Sequence, residues 1–234
     1  TGDVFPDKYY YRWANKGTYL PPPVSELREK RKTLMQQYEH NMAEMEAAIS
    51  DEILKAEYLS CMLIADDSNL FEEGKKLSDY VHKALEEDMG FSVTDVDEMN
   101  LEVGESLKED KWIEDGDFFA LVEVKGTERG AKANWVRVDL SAHIREFEVV
   151  KDVKDLRSVL IFNHERRTEP KERTEPFSGD TALLTYCEKT GICLLPVYEL
   201  FKLVSAVREG RITAEGARTA IKQCTGLFDV GKVI

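Results

Sequence analysis

Apolar residues recur every three or four positions from Ser25 to about Ala65, a spacing that predicts one long helix with Ser25 as its N-cap. Neither Gly nor Pro interrupts this stretch, which at the helical rise would extend about 60 Å. We expect a coiled-coil arm for self-association, or a stalk that follows a missing N-terminal region, because so long a helix does not fit inside a small core. A helix that folds back on its own domain is the alternative. The recurring positions are Leu34, Tyr38, Met42 or Met45, Ile49, Ile53, Ala56, Leu59 or Ser60, and Leu63.

The segment before this helix, residues 1–24, is rich in aromatic residues and Pro, as expected of a strap that packs on a partner. Residues 1–66 are therefore interpreted as an N-terminal strap and helical arm. The chain opens with Thr1 and Gly2 and without Met, which we expect of a trimmed chain or of part of a longer protein.

The remainder, residues 67–234, alternates helical spacing with short apolar runs, which is typical of an α/β domain. A first helix over about Gly74–Met89 would end at Gly90, and a strand would begin at Phe91. The prediction is a mixed central sheet flanked by helices. Its later elements are a helix over Val136–Val150, a strand over Leu156–Asn163, and then helix Ala182–Lys189, strand Ile192–Leu195, helix Val197–Val207 and helix Ala214–Cys224.

The segment from Asp110 to Gly126 predicts a β-hairpin, because two apolar runs flank the turn signal Asp115-Gly116. With Asp115 and Gly116 at the centre of the turn, Asp110 would lie opposite Leu121 and diagonal to Glu123, about 7–8 Å away at the backbone. Side chains alternate along a strand, so one face collects a polar cluster at its end. That face carries Asp110, Trp112, Phe119, Leu121, Glu123 and Lys125.

Two carboxylates and an ammonium on one face predict a site for a hard divalent cation. Asp110 and Glu123 could close on one ion that keeps positions open for a phosphate and a water, while Lys125 orients that water. The same register excludes Asp117 and Asp115, since Asp117 lies six residues from Glu123, about 20 Å along the strand. Glu109 would point to the other face.

The pattern Asp110-x12-Glu123-x-Lys125 on a hairpin resembles the PD-(D/E)xK, or restriction-endonuclease-like, nuclease superfamily. The preceding helix, GxxLxxxVxxAL followed by Gly-Phe, is similar to the entry of these domains, although Ser78 stands where many members have Glu. Glu73, one turn before Leu77, is the alternative helical ligand or a cap.

The resemblance implies a restriction-endonuclease-like nuclease domain over residues 67–234 that hydrolyses phosphodiester bonds, with Mg²⁺ or Mn²⁺ as cofactor. By this resemblance Asp110, Glu123 and the Val124 carbonyl would hold the metal, and Lys125 would aid the attacking water. DNA is the expected partner and RNA the other possibility. Dimerisation through the helical arm would place two such sites for double-strand cuts.

Other residues are secondary candidates near this site. Arg129 and Lys132 follow the hairpin and would flank the scissile phosphate, or else belong to a solvated loop. His164 follows a predicted buried strand and would position substrate or leaving group, or act as a structural hydrogen-bonding residue.

The sequence limits these interpretations in three respects. The net charge of −13 weighs against a nucleic-acid binder, although local potential and not total charge decides binding. The cysteines, Cys61, Cys187, Cys193 and Cys224, have no metal-site spacing and indicate a reducing, cytoplasmic compartment. No apolar run reaches membrane-spanning length and no signal-peptide pattern opens the chain, so no membrane partner is expected.

Two functions from different classes compete. The first is a metal-dependent nuclease that uses Asp110, Glu123 and Lys125. The second is a catalytically inactive nuclease-fold module for oligomerisation or partner binding, which the acidic surface and the missing helical Glu favour. The complete triad on one face favours the first.

Overall fold

The computed structural model describes residues 22–65, 77–96, 110–151 and 156–234. The chain divides into two units, residues 1–56 and residues 57–234. The proposed boundary after residue 66 stays a prediction, and the structure groups the last turns of the long helix with the second unit. The predicted strap and Glu73 lie outside the described residues.

The long helix α1 spans Pro22–Ile64. It begins three residues before the predicted cap: Ser25 lies inside the first turn and its hydroxyl donates to the Pro22 carbonyl (2.9 Å). Proline suits the start of a helix because its missing N–H would have no helical partner there. In the first unit, apolar residues of α1 from Leu27 to Ile53 are exposed.

The second unit is built on a six-stranded sheet whose strands follow chain order. The first three strands are antiparallel, and the third to sixth are parallel to one another. This arrangement confirms the predicted mixed sheet, and β6 is an edge strand that the sequence analysis did not predict. The strands are β1 Ser92–Asp95, β2 Lys111–Asp115, β3 Phe118–Gly126, β4 Arg157–Asn163, β5 Ile192–Pro196 and β6 Gly226–Leu227.

Helices cover both faces of the sheet. Helix α2, Leu77–Lys83, continues into a π-helical turn, Ala84–Asp88. His82 of α2 pairs with Glu86 of this turn (3.3 Å), and Gly90 follows at φ +75°. A second π-helical turn, Trp135–Leu140, leads into helix α3, Ser141–Lys151. The described helices of this unit are α2 Leu77–Lys83, α3 Ser141–Lys151, α4 Thr181–Thr190, α5 Val197–Arg208 and α6 Ala214–Gln223, with 3-10 turns at Pro170–Glu172 and Val230–Lys232.

Alternate side chains of β3 face two separate cores. Val122 and Val124 pack with α2, α5, α6 and the last turns of α1. Leu121 points the other way, toward Phe147 of α3. This second face, shared by α3 and α4, is the one that carries the candidate site.

The hairpin register differs from the prediction by two residues. Asp115 pairs with Phe118, so the turn consists of Gly116 and Asp117 in place of the predicted Asp115-Gly116. Gly116 has φ +63°, whereas Asp117 is not among the positive-φ residues. A shift of two preserves which face each side chain occupies. Lys111 now lies opposite Val122, and continuing this register places Asp110 opposite Glu123 instead of Leu121.

The end of α1 is fixed to the carboxyl end of β4. The Asn163 side-chain amide donates to the carbonyls of Met62, Leu63 and Ala65 (2.8–3.2 Å). Arg173 donates to the Leu63 carbonyl as well (2.8 Å). These bonds satisfy carbonyl groups that the helix end leaves without helical partners. The four cysteines are free thiols, and none of the described helices combines the length and apolarity needed to cross a membrane.

Candidate active site

Glu123 lies near the end of β3 on the face toward α3, with only 1% of its side chain exposed. Its Oε1 lies 2.5 Å from Lys125 Nζ, and its Oε2 lies 2.9 Å from His143 Nδ1. A buried carboxylate is costly unless charged or polar partners compensate it, and both oxygens of Glu123 have such a partner. Three side chains thus meet near the carboxyl end of β3, on the face toward α3.

Asp110 reaches the same part of β3 from the other strand of the hairpin. Its Oδ2 accepts a 2.7 Å hydrogen bond from the backbone N–H of Val124. Since the N–H and C=O of one strand residue point toward the same neighbouring strand, the Val124 carbonyl is on the side where Asp110 lies. The carboxylate of Asp110 is therefore next to the residue that follows Glu123.

His143 is the member of this cluster that the sequence analysis did not identify. It lies in the first turn of α3, and its side chain is 11% exposed. Leu140 and Phe147 lie three residues before it and four after it, so all three share one helix face. The sequence did contain a signal for it: His143 lies between two apolar positions, Leu140 and Phe147, that face inward on the predicted helix.

The donor chemistry of the cluster fits a hard divalent cation. Asp110 and Glu123 supply carboxylate oxygens, and the Val124 carbonyl supplies a third oxygen of the type that Mg²⁺ and Mn²⁺ prefer. Within the described ranges, however, no three His, Cys, Asp or Glu side chains converge closely enough to hold a metal ion. An ion that bound Glu123 would use the second lone pair of a carboxylate oxygen, beside the contact with Lys125 or His143.

The secondary candidates lie in the loops after β3 and β4. Arg129 and Lys132 are both exposed. His164 is buried, and its Nε2 donates to the Thr174 carbonyl (2.9 Å). Its Nδ1 has no hydrogen-bond partner among the described residues. Burial is the main cause that lowers the pKa of His164 from its ordinary value.

The two acids that the sequence analysis excluded from the metal site, Asp115 and Asp117, lie away from the Glu123 cluster at the other end of the hairpin. Asp115 accepts hydrogen bonds from Lys222 (2.7 Å) and Arg218 (3.1 Å), both on α6. The hydrogen bond from Lys222 is the main cause that lowers the pKa of the Asp115 carboxyl. Asp117 lies in the exposed turn.

Comparison with solved structures finds the restriction endonuclease FokI, with a TM-score of 0.47 and 17% sequence identity. The alignment covers 74% of this chain but only 31% of that one, so the chain spans about a third of the neighbour's length. No protein-family model matches the chain, and no curated protein matches it. The six-stranded mixed sheet with helices on both faces agrees with the α/β architecture expected from the sequence.

Proposed function

We propose that this protein is a divalent-metal-dependent nuclease that hydrolyses phosphodiester bonds. The observation that carries the proposal is the buried Glu123 carboxylate near the carboxyl end of β3, which contacts both Lys125 and His143. Asp110 adds a second carboxylate beside Val124. Buried polar clusters of this kind at the end of a sheet strand are more typical of a reactive site than of a solvated surface.

The residues of the site would divide the work as follows. Asp110, Glu123 and the Val124 carbonyl would hold Mg²⁺ or Mn²⁺, which when bound supplies a Lewis acid for the phosphoryl oxygen. Lys125 would orient the attacking water and offset negative charge on the phosphate. His143 would act as a positioning residue, because a hydrogen bond to one oxygen of Glu123 fixes the orientation of its carboxylate.

A polyanionic substrate is supported by positive side chains on the loops that follow β3 and β4. Exposed Arg129 and Lys132 lie in the first loop. Arg166 and Arg167 of the second loop both contact Glu128 of the first (2.9 and 2.7 Å), which brings the two loops together. DNA is the proposed substrate, with RNA as the polymer to compare. Self-association through α1 completes the proposal.

The test is cleavage of single-stranded and double-stranded DNA and RNA with Mg²⁺ or Mn²⁺. Glu123→Gln and Lys125→Ala should each lower the cleavage rate at least about 100-fold, because both remove charge from the reacting centre. Glu114→Gln is the matched control: it makes the same chemical change on an exposed position of the same hairpin and should leave the rate unchanged. Wild-type cleavage that neither site substitution affects would contradict the residue assignment.

The second candidate function is a non-catalytic assembly module with a nuclease fold. Two observations favour it: the net charge of −13, and the engagement of both Glu123 oxygens by the protein's own side chains. This function predicts no metal-dependent cleavage of any of the four polymers by the wild-type chain. Intact association through α1 in that case would identify the module.

A further inference from the structure

Helix α1 carries a regular apolar seam within the first unit. The seam residues are alternately three and four positions apart, which is the spacing of the contact positions in a coiled coil. Each of them is between 38% and 61% exposed. His40 lies on the opposite side of the helix, where it pairs with Glu44 (3.3 Å). The seam consists of Met35, Tyr38, Met42, Met45 and Ile49.

Charge is distributed unequally along the same helix. Residues 28–32 contain four basic side chains and one acidic one, for a net charge of +3. Residues 44–52 contain four acidic side chains and no basic one, for a net charge of −4. Two such helices side by side would place like charges together if parallel, and opposite charges together if antiparallel. Interactions between exposed charges within about 8 Å survive physiological salt.

We infer that α1 pairs with α1 of a second copy of this chain in antiparallel orientation, centred between Tyr38 and Met42. In this register each coiled-coil contact position of one helix faces a contact position of the other helix. Met35 would face Met45 of the second copy, and Tyr38 would face Met42. One layer further out on each side, Arg31 would face Ile49.

The outer layers carry the charge complementarity. Arg28 would face Glu52 of the second copy, and the basic segment 28–32 would face residues 48–52, which include Asp51 and Glu52. Lys32 would lie between the same two layers as Glu46 of the second copy. A seam rich in Met leaves oligomer state and orientation weakly specified by packing. Charge therefore determines the orientation. This inference rests on the self-association that forms part of the proposed function.

Disulfide trapping in the full chain tests the orientation. Met35→Cys and Met45→Cys, on two copies of different tagged mass, should form a mixed cross-link on mild oxidation, because their Cα atoms face each other within disulfide range. Met35→Cys alone should not cross-link to itself, since the two copies of residue 35 would be ten residues, or about 15 Å, apart along the helix. The chain with only its natural cysteines is the background control.

The outcomes of this experiment distinguish the antiparallel orientation from the proposed self-association on which it rests. Efficient cross-linking of Met35→Cys to itself would indicate a parallel pair and overturn the orientation alone. A wild-type chain that sediments as a monomer at high concentration would overturn both the inference and the proposed self-association. Nuclease activity, tested by Glu123→Gln, is independent of either result.

Charge substitution gives a second test by sedimentation equilibrium. Arg28→Glu with Lys32→Glu should weaken dimerisation about tenfold, because the attractions to Glu52 and Glu46 of the second copy become repulsions. Adding Glu46→Lys and Glu52→Lys to the same chain should restore dimerisation, because opposite charges again lie together in an antiparallel pair. Failure of the restored variant to recover would overturn the inference.

Discussion

At the scale of single residues, one contact within the candidate site joins His143 of α3 to Glu123 of β3. Both side chains are largely buried, and their 2.9 Å hydrogen bond fixes one carboxylate oxygen while Lys125 contacts the other. A hydrogen bond to a metal-binding carboxylate sets its direction before the ion arrives. Under the proposed function, the contribution of His143 should therefore appear in metal affinity as well as in turnover.

His143→Leu should lower the affinity for Mn²⁺ about 10- to 100-fold, because it removes the hydrogen bond that orients Glu123. His143→Asn should stay close to wild type, since its amide nitrogen occupies nearly the position of Nδ1. Free and bound Mn²⁺ can be measured by electron paramagnetic resonance without any substrate. If the Leu variant bound Mn²⁺ as tightly as wild type while Glu123→Gln did not bind it, the positioning role would be wrong and the metal site would stand.

His164 gives a prediction about stability and pH. Its Nε2 donates to the Thr174 carbonyl, and a second proton on Nδ1 would find no acceptor among the described residues. Burial lowers the folded-state pKa below the ordinary value of 6.5. The unfolded chain therefore takes up a proton that the folded chain resists, and the free energy of unfolding should fall as the pH drops below 6.5.

His164→Gln should reduce this pH dependence, because Gln can keep the bond to Thr174 but does not titrate. The difference in slope between wild type and variant should reach at most about 1.4 kcal/mol per pH unit, the value for one proton. Urea unfolding at pH 7.5, 6.5 and 5.5 measures it. Parallel curves for the two proteins would assign the pH dependence to other groups.

At the scale of elements, the pairing of β1 with β2 includes a buried ion pair that the sequence analysis did not predict. Lys111 follows Asp110 and is fully buried, on the opposite face from Glu123, where its ammonium contacts Asp95 of β1. Because side chains alternate along β2, Lys111 lies on the same face as Ile113, in the core that also contains Val122 and Val124. Only a long-range partner makes a charged residue tolerable there.

Asp95→Asn should destabilise the fold by about 2–3 kcal/mol, because it leaves a buried ammonium without a carboxylate. Lys111→Met should cost less, about 1 kcal/mol, since Met fills similar volume without charge and the remaining Asp95 is partly exposed to water. Denaturant unfolding of the two variants compares these values. A larger loss for Lys111→Met than for Asp95→Asn would contradict this assignment of the energies.

The hairpin also shows how far the sequence can predict an element. The turn was expected at Asp115-Gly116, because Asp-Gly is a strong local signal. In the structure Asp115 extends β2 instead, and its carboxylate is held by Arg218 and Lys222 of α6, about a hundred residues later. That tertiary contact is invisible to local reasoning. Glu123 and Lys125 still lie on the same face of the hairpin, as predicted, because a register shift of two residues does not change the face of any side chain.

For the whole molecule, the fold class and most helix and strand positions followed from periodicity and from Gly and Pro. The sequence did not predict how the end of α1 is used. Its last turns were expected to belong to an exposed arm, yet Leu59 and Met62 are core residues. Asn163 and Arg173 supply the donors for its final carbonyls. Such partners are distant in sequence, and no local pattern indicates them.

The chain has four histidines, and each lies in a different setting. His40 is on the exposed side of α1, His82 pairs with Glu86 on α2, His143 contacts Glu123, and His164 is buried against Thr174. Imidazole ring protons resonate apart from most other signals. A single proton NMR spectrum with four assigned peaks would therefore report separately on the outer face of α1, on α2, on the Glu123 cluster and on the core in one unlabelled sample.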